Sequence, residues 1–286
     1  MKFHLVTTDH LSDNVLFRDD ADFRAAMNFI AITSFVLNVP VLSFILMSNH
    51  VHFVLACSYD QSVAFINHFK MLYSFYYRKK YGIGELLRKH PVDIRELSIK
   101  DESLQRGIAY VQMNCVAANI TPHPSLYPWG TGATFFNLTK PYTTYLSSYS
   151  ERQKRALFHS HIRLPDEYVI GNEGFILPQS YVAVTFVEKL YQNPKRYTWF
   201  LNSSSKSKLH LEKNAAPSFR DQVLISAVQD LSMSLFRAQS IKSLSADNLA
   251  ELIRQIQRRF SADANQISRV TNLPYDKVAL MLEGFN

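Results

Sequence analysis

VLSFILMSNHVHFVLA, residues Val41–Ala56, is the stretch whose reading decides the fold. It is strongly apolar, yet it holds two histidines one residue apart. On a strand successive side chains alternate faces, so His50 and His52 share one face while Val51 and Phe53 point into the opposite layer. Neutral imidazole is a common metal ligand, and two imidazoles one pleat apart can share an ion. A bare His-x-His is more often a pair of satisfied or surface imidazoles than a metal site. Met47-Ser48-Asn49 interrupts the apolar run just before the pair, as a bulge or bend would, re-aiming the side chains that follow.

Working outward, Lys2–Thr8 reads as a first strand. Asp19 or Asp20 can cap a helix running to about Leu37, ended by Asn38 and Pro40. Asp60 can cap a second helix, Gln61 to Lys80, with Val63, Ile66, Phe69, Leu72 and Phe75 at helical spacing. Val92–Ile99 is a short strand or irregular passage. A third helix starts at Asp101 or Ser103 and ends near Asn119, with Leu104, Ile108, Val111, Cys115 and Ala118 as its buried stripe. This order predicts an α+β domain over residues 1–140, a central antiparallel or mixed sheet with helices on one face. Residues 141–215 read as a mixed linker or extension. Residues 216–286 read as mainly helical, and ANQISRVTNLPYDKVALML (Ala264–Leu282) has the pattern of a helix-turn-helix. A small helical bundle that merely packs is the simpler account of that pattern.

Composition narrows the classes. The chain has 286 residues, 47% of them hydrophobic, with 15 Tyr and 20 Phe, which excludes a disordered chain. Its formal net charge of +7 permits a polyanionic partner. The surplus is uneven: 13 Lys+Arg against 11 Asp+Glu through Lys140, then 18 against 13. Two cysteines, Cys57 and Cys115, argue for a reducing compartment and against a disulfide scaffold. The opening residues lack the apolar segment of a signal peptide. Phe29–Met47 is uncharged, but Asn38 and Pro40 break it, so no membrane span is expected.

A second constellation lies in the third helix. Arg106, Tyr110 and Asn114, each four apart, share one face. A phenol with pKa about 10 is a poor nucleophile at neutral pH. Beside a metal that neutralises phosphate charge it becomes credible. Asn114 could add an oxygen to His50 and His52, a mixed set suited to Mg²⁺ or Mn²⁺ held partly through substrate. Zn²⁺ stays open on ligands alone. Arg106, one turn before Tyr110, could steady a phosphate. Tyr76, Tyr77, Arg78, Lys79, Lys80, Arg88 and Lys89 are candidates for stacking and phosphate contacts, against the simpler reading of a solvated helix end.

LMSNHVHFVL (Leu46–Leu55) resembles the HUH motif of the single-tyrosine transposases of the IS200-like superfamily, above all the REP-associated tyrosine transposases. IAYVQMNCVAANI (Ile108–Ile120) with LYPWG (Leu126–Gly130) resembles their tyrosine helix and the segment after it. LVTTD and LFRDDADF near the start are similar too, so the likeness spans about residues 2–136. Cys115 and Ser48 stand where the family usually has proline, and Gly84–Arg88 echoes its Gly-x-Leu-Trp-Gln stretch poorly. The resemblance implies an HUH-type ferredoxin-like core, followed here by a mainly helical C-terminal extension. It implies metal ligands His50, His52 and Asn114 and a nucleophile Tyr110. It implies a metal-dependent DNA endonuclease and strand transferase acting on single-stranded DNA beside hairpins, through a 5′-phosphotyrosine. Its setting would be the bacterial cytoplasm, at the nucleoid. A homodimer is open. The competing readings are a DNA-binding descendant without cleavage and a metal phosphoesterase that uses bound water.

Overall fold

The computed structural model describes residues 1–8, 15–82, 91–137, 143–204, 219, 221–260 and 262–283. Strand β1 (Phe3–Thr8) leads to helix α1 (Asp20–Leu37), then to strands β2 (Val41–Met47) and β3 (His50–Leu55). Helix α2 (Tyr59–Tyr81) and strand β4 (Val92–Leu97) complete a four-stranded antiparallel sheet of order β2-β3-β1-β4. This is a mixed α+β fold with a central sheet flanked by helices, consistent with a generic ferredoxin-like arrangement.

The organising stretch is a hairpin, not one strand with a bend. Met47 pairs with His50, so Ser48-Asn49 forms a two-residue turn. Backbone N–H groups of Leu16 and Phe17 donate to the Ser48 carbonyl at 2.7 and 3.1 Å and tie that turn down. Both strands are buried along their whole length.

Helix ends follow capping chemistry. Asp19 caps α1 by accepting from the Asp22 N–H, and Asn38 closes it in the left-handed region at φ 49°. The second helix is capped by Ser58 rather than Asp60, in a reciprocal box with Gln61. Helix α3 (Ser103–Gln112) stops at Met113, and a short turn of helix, α4 (Asn114–Ala117), follows. The expected single helix to Asn119 is therefore broken.

Helices cover both faces of the sheet, not one. Phe53 of β3 meets Phe65 and Phe69 of α2, with ring centroids 5.3 and 5.4 Å apart. Helix α3 packs on β2 and β3 from the other side. The outer edge of β2 is closed as well: Leu46 N–H donates to the Trp129 carbonyl at 2.9 Å and Thr131 N–H to the Phe44 carbonyl at 3.0 Å. Gly130 sits between them because a β-carbon there would lie 2.9 Å from the Phe44 carbonyl oxygen. Trp129 stacks on Phe23 in the core, centroids 4.9 Å apart.

Residues 143–204 pack onto this same core. A two-stranded sheet, β5 (Thr143–Tyr145) and β6 (Val169–Gly171), and helices α5 (Glu151–Phe158), α6 (Val184–Tyr191) and α7 (Pro194–Asn202) add Phe158, Ile170, Tyr191 and Phe200 to it. A separate core joins α8 (Asp221–Phe236), α9 (Ala246–Phe260), α10 (Ala264–Thr271) and α11 (Tyr275–Glu283). There the fully buried Asp221 accepts a forked pair from Arg269, at 2.7 and 3.1 Å. Among the described residues no helix is long and apolar enough to cross a membrane.

One polar cluster pins α2 to the start of α1. Asp22, with no exposed side-chain surface, accepts from Lys80 Nζ at 2.7 Å, Tyr76 Oη at 3.0 Å, Tyr81 Oη at 2.9 Å and the Arg18 N–H at 2.7 Å. Partial burial pushes the Asp19 carboxyl up, but bonds from Lys80 and the Asp22 N–H outweigh it and hold it below the ordinary range. Desolvation pulls Lys80 down, and its bonds to Asp19 and Asp22 more than reverse this. Lys80→Met should therefore lower stability at pH 7 by about 2–3 kcal/mol, since it strips a buried carboxylate of its cation. Asp19→Asn should cost under about 1 kcal/mol, because half of that carboxylate is in water. A depressed folded pKa stabilises above the unfolded value, so this smaller difference should vanish as pH falls through the folded pKa of Asp19. Urea unfolding of the three proteins at pH 7 and in acid checks both effects.

Candidate active site

Pairing register builds the site before any side chain is considered. Thr7 of β1 lies opposite His52, and Asp93 of β4 lies opposite Thr7. Arg95 pairs with Leu5, so Thr7, His50, His52, Asp93 and Arg95 all belong to the face that α3 covers.

The two imidazoles meet edge to face, centroids 4.8 Å apart at 87°. His50 is 5% exposed and His52 1%. Each ring is oriented through Nδ1. His50 Nδ1–H donates to Asn49 Oδ1 at 2.8 Å, because an amide oxygen can only accept. His52 Nδ1 lies 2.9 Å from Thr7 Oγ1, which can accept in the same way. With the proton on Nδ1, a neutral imidazole presents a lone pair at Nε2, the tautomer a metal needs.

Tyr110, on α3, packs its ring on His52, centroids 5.7 Å apart at 85°. It keeps part of its surface in solvent. Burial raises its phenol pKa, and the Arg95 charge works against that rise. Asn114 follows one turn later, just past the Met113 break, and is 4% exposed. Its Nδ2 donates back to the carbonyls of Tyr110 and Val111 at 2.8 and 3.1 Å. The oxygen is therefore the end of the amide that a metal could use.

The chemistry of this donor set, were it to close on one ion, is that of a Mg²⁺ or Mn²⁺ site. Two imidazole nitrogens and an amide oxygen are all neutral, so the ion would keep its full charge for a phosphate. Among the described residues no three His, Cys, Asp or Glu side chains converge as a metal cluster. Any such site thus depends on the amide and on substrate.

The other sequence candidates divide. Arg106 pairs with Glu102 at 3.3 Å and lies over the Phe200 ring of α7. Tyr77 is buried, 1% exposed, among Tyr73 and Tyr81, so it is a core residue and offers no stacking face. Tyr76 and Lys80 are engaged with Asp22, and burial with the Asp22 charge pushes the Tyr76 phenol up to about 12. Arg78 and Lys79 are exposed. Arg88 and Lys89 lie outside the described residues. Burial pushes the Cys115 thiol up to about 11, which leaves it an inert core group.

Sequence reading missed Thr7 and Arg95. Thr7 stands in the quoted LVTTD stretch, but only the strand register aims it at His52. Arg95 carries no local signal at all. No family model, curated protein or solved structure matches the chain.

Two measurements test this geometry. Mn²⁺ binding, read by water-proton relaxation, should be lost in His52→Ala and weakened about tenfold in Thr7→Val, which frees the ring it orients. In a ¹³Cζ-tyrosine NMR titration, Tyr110 should titrate above the ordinary tyrosine range. Arg95→Gln should move it higher still, because the opposing charge is gone.

Proposed function

We propose that the chain is a metal-dependent DNA nicking and rejoining enzyme of the HUH single-tyrosine, transposase-like kind, acting on single-stranded DNA beside hairpins. The observation that carries this is the Tyr110 ring resting on His52, the second of two imidazoles each held by a hydrogen bond at Nδ1. The resemblance of Leu46–Leu55 and Ile108–Ile120 to the REP-associated tyrosine transposases supports the same reading.

In this scheme Tyr110 Oη attacks the phosphorus of a DNA phosphodiester. A bond forms between Oη and phosphorus, and the bond from phosphorus to the 3′-oxygen breaks. The departing oxygen keeps the electron pair and takes up a proton as a free 3′-OH. The 5′ phosphate stays on the tyrosine. Attack by another 3′-OH reverses these steps and joins strands without ATP. A bound Mg²⁺ or Mn²⁺ would offset charge on the phosphate oxygens. Thr7 and Asn49 hold the imidazoles in place. Arg95 opposes the rise in the Tyr110 pKa and so favours the phenolate.

Purified protein incubated with Mg²⁺ and 3′-end-labelled hairpin-flanked strands should give a denaturant-stable protein–DNA adduct. Tyr110→Phe should abolish both adduct and cleavage. Cleavage that survives Tyr110→Phe would identify a phosphoesterase using bound water instead. Hairpin binding with no adduct from any native flanking sequence would identify a binding protein that has lost the reaction.

A further inference from the structure

A cavity of about 490 Å³ lies between α1, α2 and the end of α5, bordered by Arg24, Asn28, Tyr76, Lys79, Lys80 and His159. Helix α2 covers the β3 face that carries Phe53, whereas Tyr110 covers the face that carries His52. The cavity is therefore separate from the candidate active site.

Its walls are built. Asn28, buried in α1, donates to the Leu157 carbonyl at 3.1 Å and accepts from the Ile176 N–H at 2.9 Å. It thereby fixes α5 and the following segment against α1. His159 closes α5 in the left-handed region, φ 48°, where glycine or asparagine is usual. That conformation places its ring on Tyr76, centroids 4.9 Å apart, with Phe29 beside both. The Tyr76 ring is held in turn by its bond to Asp22.

The charges are unevenly used. Lys80 is neutralised by Asp19 and Asp22. Arg24 and Lys79, from neighbouring helices, make no ion pair among the described residues. A guanidinium and an ammonium beside an imidazole suit a phosphate, and an aromatic pair beside them suits a base. We propose that this cavity binds a nucleotide unit, its phosphate on Arg24, Lys79 and His159 and its base against Tyr76 and His159. The unit is either a free nucleotide or one residue of an unpaired strand. The proposal does not rest on strand cleavage.

Calorimetric titration of the full chain with dAMP, and separately with a short unpaired oligonucleotide, tests it. The paired change Arg24→Ala with Lys79→Ala should weaken binding about tenfold or more. Lys277→Ala, an exposed change far along the chain from both sites, should leave dAMP binding unchanged and serves as the control. Loss of dAMP binding in the paired variant identifies a free nucleotide. Loss of oligonucleotide binding, where dAMP does not bind even the wild type, identifies a strand. Lys79→Glu, at an exposed position, repeats the test should the paired variant fail to fold. Wild type that binds neither probe, or folded variants that bind both as wild type does, would overturn the proposal.

Discussion

Strand β3 is buried on both faces, yet only one of them is hydrocarbon. Val51, Phe53 and Leu55 satisfy the α1–α2 side by packing alone. His50 and His52 do not, because a buried polar group without a hydrogen bond costs on the order of 1–3 kcal/mol. The neighbours of β3 meet that need: Asn49 from its own turn and Thr7 from β1. A slip of one residue that put Val6 opposite His52 would leave the imidazole without its hydroxyl, and one that put Thr8 there would take that hydroxyl from the Val51 N–H that it now accepts. Sheet register and imidazole orientation are therefore one constraint.

The third helix answers the same demand from above. Its apolar stripe seats it on β2 and β3, and Tyr110 covers His52 with a ring that has a polar tip. An aliphatic residue there could cover the imidazole equally well as packing, but it would bring no oxygen. Gly107, one turn earlier, allows close approach to β4: a β-carbon would lie 2.7 Å from Leu97 Cδ1. That approach sets the helix near the strand that carries Arg95. Thus an exposed guanidinium on an edge strand acts on a half-buried phenol four positions beyond Arg106, the arginine that shares its helix.

Local pattern was enough to read most elements of the first 120 residues, since their apolar spacing and caps are short-range. Asp19 and Asn38 close α1 as their chemistry suggests. His50 and His52 share a face because strand alternation leaves no choice, and Tyr110 and Asn114 lie one helical turn apart. What stayed hidden depends on pairing between distant segments. Ser48-Asn49 reads as a bend until β2 is seen to fold back on β3. Ser58 outcompetes Asp60 as a cap because Gln61 returns its bond. That α3 lies on the opposite face from α2 follows from the tertiary path, and no periodicity encodes it. The aromatic and basic end of α2 looked like one surface. Instead helical periodicity and the buried Asp22 sort it, drawing in Tyr77, Lys80 and Tyr81 and leaving Arg78 and Lys79 outside.

The C-terminal bundle shows the same limit from the other direction. Asn272 takes the left-handed conformation, φ 56°, between α10 and α11, so the turn expected of a helix-turn-helix is present. A helix that reads bases also needs a phosphate-facing charge around it. Helix α11 offers Lys277 against Asp276 and Glu283, and its exposed Tyr275 and Leu280 are not charged. Arg269, on the preceding helix, is spent on the buried Asp221. Arginines cluster instead at the end of α9, where Arg258 and Arg259 complement the helix dipole. The expected turn is thus present, while among the described residues the basic side chains of the bundle gather on α9 rather than on α11.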